Sequence, residues 1–132
     1  MKTILLVEDD PNLGALYEEE LSDEGYRVLR AGNGREGVEM ASHDRPDIVV
    51  LDINMPGLDG LDALERMLEE QPHLPVVINT AYDSYKDSFR SWSAAVFVSK
   101  SSDLSELKLQ IRQVLASQES PALMLQESKG RA

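Results

Sequence analysis

The chain has 132 residues, 42% of them hydrophobic, a formal net charge of -11 and no cysteine. That length and apolar content fit one domain with a proper core, whereas the acidic balance argues against direct grip on nucleic acid or an anionic membrane. Without cysteine there are no disulfides, thiolate metal sites or thiol catalysis, and without a signal peptide or long apolar stretch a cytoplasmic location is expected.

Taken in chain order, strand-like and helix-like patterns alternate five times. Ile4-Leu5-Leu6-Val7 is a continuous apolar run of the kind that forms a buried parallel strand, and it leads into Glu8-Asp9-Asp10. Asp10 then reads as a helix cap with Pro11 at the first helical position. Leu13, Leu16, Tyr17 and Leu21 form the apolar stripe of that helix, and Gly25 ends it. Tyr26 to Ala31 reads as the second strand, Gly32-Asn33-Gly34 as a turn, and Arg35 to Ser42 as a short helix with Val38 and Ala41 on one face.

The third strand, Ile48-Val49-Val50-Leu51, runs into Asp52, and Asn54-Met55-Pro56-Gly57 is the loop beside it. Leu61, Leu64 and Leu68 mark a third helix, and Val76-Val77-Ile78-Asn79 a fourth strand ending at Thr80. A weak fourth helix is expected over 84–91, with Tyr82, Tyr85, Phe89 and Trp92 scattered around it. Val96-Phe97-Val98-Ser99 leads to Lys100, after which Asp103 and Glu106 suggest a capping box. The helix behind that box carries Leu104, Leu107, Ile111, Val114 and Leu115. The domain is expected over 1–117, with 118–132 a polar tail interrupted by Ala122-Leu123-Met124-Leu125.

Four of these strands end in a group able to handle phosphate or metal, and ligands of open α/β sheets bind at the carboxyl ends of strands. Carboxylates gathered at the mouths of the first and third strands repel one another. A divalent cation stabilises them, and hard oxygen ligands favour Mg2+. With that charge screened, the Asp52 carboxylate can attack phosphorus. Lys100 can neutralise a phosphoryl oxygen, and Thr80 can donate a hydrogen bond to another.

The runs ILLVEDDP and DIVVLDINMPGLDG, the Thr80-Ala81 pair and Lys100 resemble the receiver domain of two-component response regulators. The resemblance implies a doubly wound, five-stranded parallel sheet in the order 2-1-3-4-5 with helices on both faces, the flavodoxin-like α/β fold. It implies Asp52 as phosphoacceptor, Mg2+ held by Glu8, Asp9, Asp52 and the backbone carbonyl of Asn54, and phosphate contacts from Thr80 and Lys100. Phe97 matches the aromatic residue that moves with Thr80. The implied function is a phosphorylation-dependent switch rather than a turnover enzyme, one that assists its own phosphorylation and dephosphorylation. The implied partners are a sensor histidine kinase or phosphotransfer protein and a downstream protein or second copy. The second of these would use the face of the fourth helix, fifth strand and last helix, with Trp92 and Val96 as candidate contacts.

A rival reading is an aspartyl-phosphate phosphatase of the haloacid dehalogenase type, but those enzymes place a second Asp two residues after the nucleophile, where this chain has Asn54. Another is a degenerate receiver that only binds partners, against which the intact acids, Thr80 and Lys100 speak. His43 and His73 precede the third and fourth strands, away from the acids, and read as surface histidines. The family usually has a cis proline after the lysine, whereas Ser101 follows Lys100 here. A cis bond before a non-proline residue costs about 2.5–4 kcal/mol, so a trans bond is expected.

Overall fold

The structure is a computed structural model that describes residues 1–53, 60–80, 95–101 and 103–119. The expected helix over 84–91, the Asn54 loop, Tyr82, Trp92 and the tail beyond Glu119 lie outside the described residues. The elements are β1 (Thr3–Val7), α1 (Pro11–Asp23), β2 (Arg27–Ala31), α2 (Gly34–Asp44), β3 (Ile48–Leu51), α3 (Gly60–Glu70), β4 (Val76–Thr80), β5 (Ala95–Ser99) and α4 (Ser105–Glu119). Thus α4 is the last of the helices expected from sequence, and it continues two residues past the boundary expected at Ser117.

All strand pairings are parallel, and the five strands lie in the order β2-β1-β3-β4-β5. Each apolar run divides its side chains between two cores by the two-residue alternation of a strand. Leu5, Val7, Val49, Leu51, Val76 and Ile78 join Ala41, Ala63, Leu64 and Met67 on the α2–α3 face. Ile4, Leu6, Ile48, Val50 and Val77 join Tyr17, Leu21, Leu107, Ile111 and Leu115 on the α1–α4 face. Burial on both faces is why the runs 4–7, 48–51 and 76–78 are apolar at every position rather than at alternate ones.

Local chemistry sets the helix ends. The Asp10 carboxylate accepts the N–H groups of Asn12 and Leu13 at 2.9 and 3.2 Å, and Pro11 needs no partner at the first position. At the other end Gly25 adopts φ 94°, and the Tyr26 N–H reaches Leu21 O while the Gly25 N–H reaches Ser22 O. This is a Schellman closure, which favours glycine because a side chain is strained there. Asn33, expected within a turn, instead caps α2 by accepting the Glu36 N–H at 2.9 Å, so the helix starts at Gly34 and runs on to Asp44.

Two further expectations are corrected. Leu16 is 42% exposed, because the α1 stripe that reaches the sheet follows the four-residue spacing of Leu13, Tyr17 and Leu21. The capping box at α4 is only half formed. Asp103 Oδ1 accepts from both the N–H and the hydroxyl of Ser105, but the Asp103 N–H goes to Ser101 Oγ at 3.1 Å. Glu106 instead accepts from Gln110 Nε2, one turn along the helix. No peptide bond among the described residues is cis, so Lys100–Ser101 is trans.

Candidate functional site

The parallel ladder carries the site residues one step past the strands. The Glu8 N–H donates to Ala31 O at 3.1 Å, Asp52 N–H to Val7 O at 3.0 Å, and Lys100 N–H to Thr80 O at 2.7 Å. With Val7 opposite Leu51 and Thr80 opposite Ser99, the groups that follow converge at one edge of the sheet. Gly60 lies against Ile53, the residue after Asp52. It starts α3 so near Ile53 that a side chain would collide with the Ile53 backbone.

The Lys100 ammonium lies 2.7 Å from Glu8 Oε1 and 2.9 Å from Asp52 Oδ2. Glu8, Asp52 and Thr80 are buried, whereas Asp9 is exposed at the mouth. Glu8, Asp9 and Asp52 can each offer one carboxylate oxygen within 4.8 Å of the others. Three hard carboxylate oxygens grouped in this way are the donor type that a divalent cation such as Mg2+ takes. Asp10 stands apart from this group and is spent on the α1 cap.

The electrostatics follow from burial. Loss of water raises the Glu8 carboxyl above its usual range, opposed by the Lys100 hydrogen bond and by the Asp10 N–H donated to Glu8 Oε2. For Lys100, burial by itself favours the neutral amine. The hydrogen bonds and charges of Glu8 and Asp52 together outweigh it, so the ammonium is held above its ordinary value. The two shifts are consistent: one cation serves two acids, so the lysine gains from both while each acid shares it.

The structure therefore brings Glu8, Asp9, Asp52 and Lys100 together, and ties Thr80 to them through its carbonyl, which accepts the Lys100 N–H. Phe97 packs against the α2–α3 core in the strand that leads to Lys100. The Asn54 carbonyl lies outside the described residues. His43 is exposed in the last turn of α2, and His73 is exposed ahead of β4, so neither joins the acids. What sequence reasoning missed is a buried polar pair beneath the site: Asn79 Nδ2 donates to the Tyr17 hydroxyl at 3.1 Å. The signal was present as an asparagine directly after the apolar run Val76-Val77-Ile78, since a buried amide needs a partner.

A doubly wound parallel sheet with clustered acids bridged by a lysine at its carboxyl edge defines a class of phosphate-handling α/β domains. The chain matches the family described as response regulator receiver domain over residues 4–112, and it belongs to that family. It is 36% identical over 115 residues to the probable transcriptional regulatory protein TcrX of Mycobacterium tuberculosis, covering 86% of this chain and 49% of TcrX. It is 32% identical over 115 residues to sporulation initiation phosphotransferase F of Bacillus subtilis, covering 85% of this chain and 92% of that protein. The chain thus spans about half of the first relative and nearly all of the second. The response regulator TrrA of Thermotoga maritima, solved in complex with Mg2+ and BeF, superimposes with a TM-score of 0.81 at 37% identity, covering 86% of this chain and 98% of TrrA. TrrA has also been solved in complex with the histidine kinase ThkA, and there it matches with a TM-score of 0.80, covering 87% of this chain and 99% of TrrA.

Proposed function

We propose that this chain is a signalling switch in which Asp52 accepts a phosphoryl group from a sensor histidine kinase or phosphotransfer protein. The observation that carries the reading is the placement of Glu8 and Lys100 on Asp52: the lysine contacts both acids, and Asp9 completes a cation-sized group with them. The kinase complex and the Mg2+ complex known for TrrA support it by similarity.

In this reading Glu8, Asp9, Asp52 and the Asn54 carbonyl hold Mg2+, which when bound screens the acids and polarises a phosphoryl oxygen. An Asp52 oxygen forms the new bond to phosphorus as the phosphorus–nitrogen bond to the donor histidine breaks, and the departing imidazole nitrogen takes up a proton. Lys100 turns from Asp52 towards a phosphoryl oxygen, and the Thr80 hydroxyl donates to another. Thr80 and Phe97 then change a partner-binding face that includes β5 and α4, which engages a downstream protein or a second copy. The same residues assist hydrolysis of the phosphoaspartate, and no turnover of small phosphate esters is expected.

The test is labelling by acetyl phosphate. Wild type is expected to label once per chain and only with Mg2+. Asp52→Asn is expected not to label, and chelation is expected to abolish the reaction. Equal labelling of the variant, or labelling indifferent to chelator, overturns the proposal. Sustained release of phosphate from a small ester would favour the phosphatase alternative.

A further inference from the structure

We propose that Tyr17 and Asn79 form a positioning pair that holds the carboxyl end of β4, and with it Thr80 and Lys100, in register for phosphoryl transfer at Asp52. The inference rests on the reading of Asp52 as phosphoacceptor. Neither residue touches the reacting atoms.

Asn79 immediately precedes Thr80 and, by strand alternation, points to the α1–α4 face while Thr80 points to the other. Tyr17 comes from the middle of α1, the helix whose leading loop contains Glu8 and Asp9. Both are buried, at 1% and 3% exposure, so their 3.1 Å hydrogen bond is made away from water. It joins residues 62 positions apart, and so ties the helix that follows two of the acids to the strand end that follows from Asn79.

The tie extends to Lys100. The Thr80 carbonyl accepts the Lys100 N–H at 2.7 Å, so the backbone steered by Asn79 also anchors the lysine. Burial holds the Tyr17 phenol above its usual range, with the Asn79 bond and the Lys100 charge acting against it. The group is therefore a neutral dipole at working pH, close enough to Lys100, Glu8 and Asp52 for their charges to reach it. An apolar pair would fill the same space, but it would give no directional link between α1 and the end of β4, which the ladder holds only to its neighbouring strands. A satisfied buried hydrogen bond fixes direction as well as distance, which dispersion contacts do not.

A site that works by positioning loses rate when its parts drift. The experiment uses the full chain and Tyr17→Phe, Asn79→Val and the double variant. Labelling by acetyl phosphate with Mg2+ is followed at a temperature where circular dichroism shows each variant folded. Each single variant is expected to label about 3–10-fold more slowly per folded molecule, the range of one lost hydrogen bond. The double variant is expected to be no slower than the singles, because both remove the same contact. A purely structural role would lower the melting midpoint and leave the rate per folded molecule at the wild-type value, which overturns the inference. Additive rate losses in the double variant also overturn it. Should Asn79→Val fail to fold, the Tyr17→Phe rate decides alone: a reduced rate supports the pair and a wild-type rate sinks it. Wild type that does not label at all removes the phosphoacceptor reading and this inference together, an outcome distinct from labelling that is unaffected by the variants.

Discussion

Lys100 is the residue on which the site turns. Its ammonium contacts both Glu8 and Asp52, and it is itself largely shielded from water. The sequence suggested separate duties, acids for the cation and lysine for the phosphate. The structure pairs them with one another, because buried carboxylates require a counter-charge. Lys100→Met keeps much of the side-chain volume and removes that charge. It is expected to destabilise the fold by about 1–3 kcal/mol in Mg2+-free buffer, the cost of leaving buried acids unpaired. Added Mg2+ should recover part of the loss, since the cation replaces the missing positive charge. Urea titration with and without Mg2+ measures both quantities, and a variant as stable as wild type without Mg2+ would mean that water already satisfies the acids.

The elements differ in how openly the sequence announced them. The strands were legible because double-sided burial demands unbroken apolar runs, and the site was legible because each run stops at a chemically distinctive residue. Side-chain partners were not, since they depend on which helix faces which strand end. Tyr17 looked like core, and only the tertiary placement of α1 beside Asn79 gives its hydroxyl a role. Leu16 belonged to the stripe by composition and left it by angle. The α4 cap is a similar case: Asp103 was found from its spacing, but Ser101 takes the bond expected of Glu106. Hydrogen bonds from the Ser105 hydroxyl and N–H hold the Asp103 carboxyl below its usual range. A depressed carboxyl contributes stability that is present above its ordinary value and lost as pH falls through its folded value. Asp103→Ala should therefore lower the melting midpoint near neutral pH, and the gap should close as the buffer is acidified below the ordinary carboxylate range. Melting curves across that range check the sign, and a gap that widens in acid would contradict the cap.

At the scale of the whole molecule, the charge of -11 matters twice. Spread over the surface it repels itself, so added salt should stabilise the fold modestly by screening. Gathered at the carboxyl edge of the sheet it forms the proposed cation site, where the response should depend on the ion rather than on ionic strength. The site joins the ends of β1 and β3, and Lys100 brings in the segment after β5, so a ligand there holds distant parts of the chain together. A cation that binds only the folded chain stabilises it by mass action, about 2.7 kcal/mol at a hundred times the dissociation constant. At matched ionic strength MgCl2 should therefore raise the melting midpoint by several degrees more than NaCl does. Asp9 separates the two effects, because it is exposed and belongs to the acid group without bracing the core. Asp9→Asn should keep the NaCl response and lose most of the excess due to MgCl2. An excess that survives in this variant would show that Mg2+ acts through the diffuse surface charge, and the site would then need another explanation for its three acids.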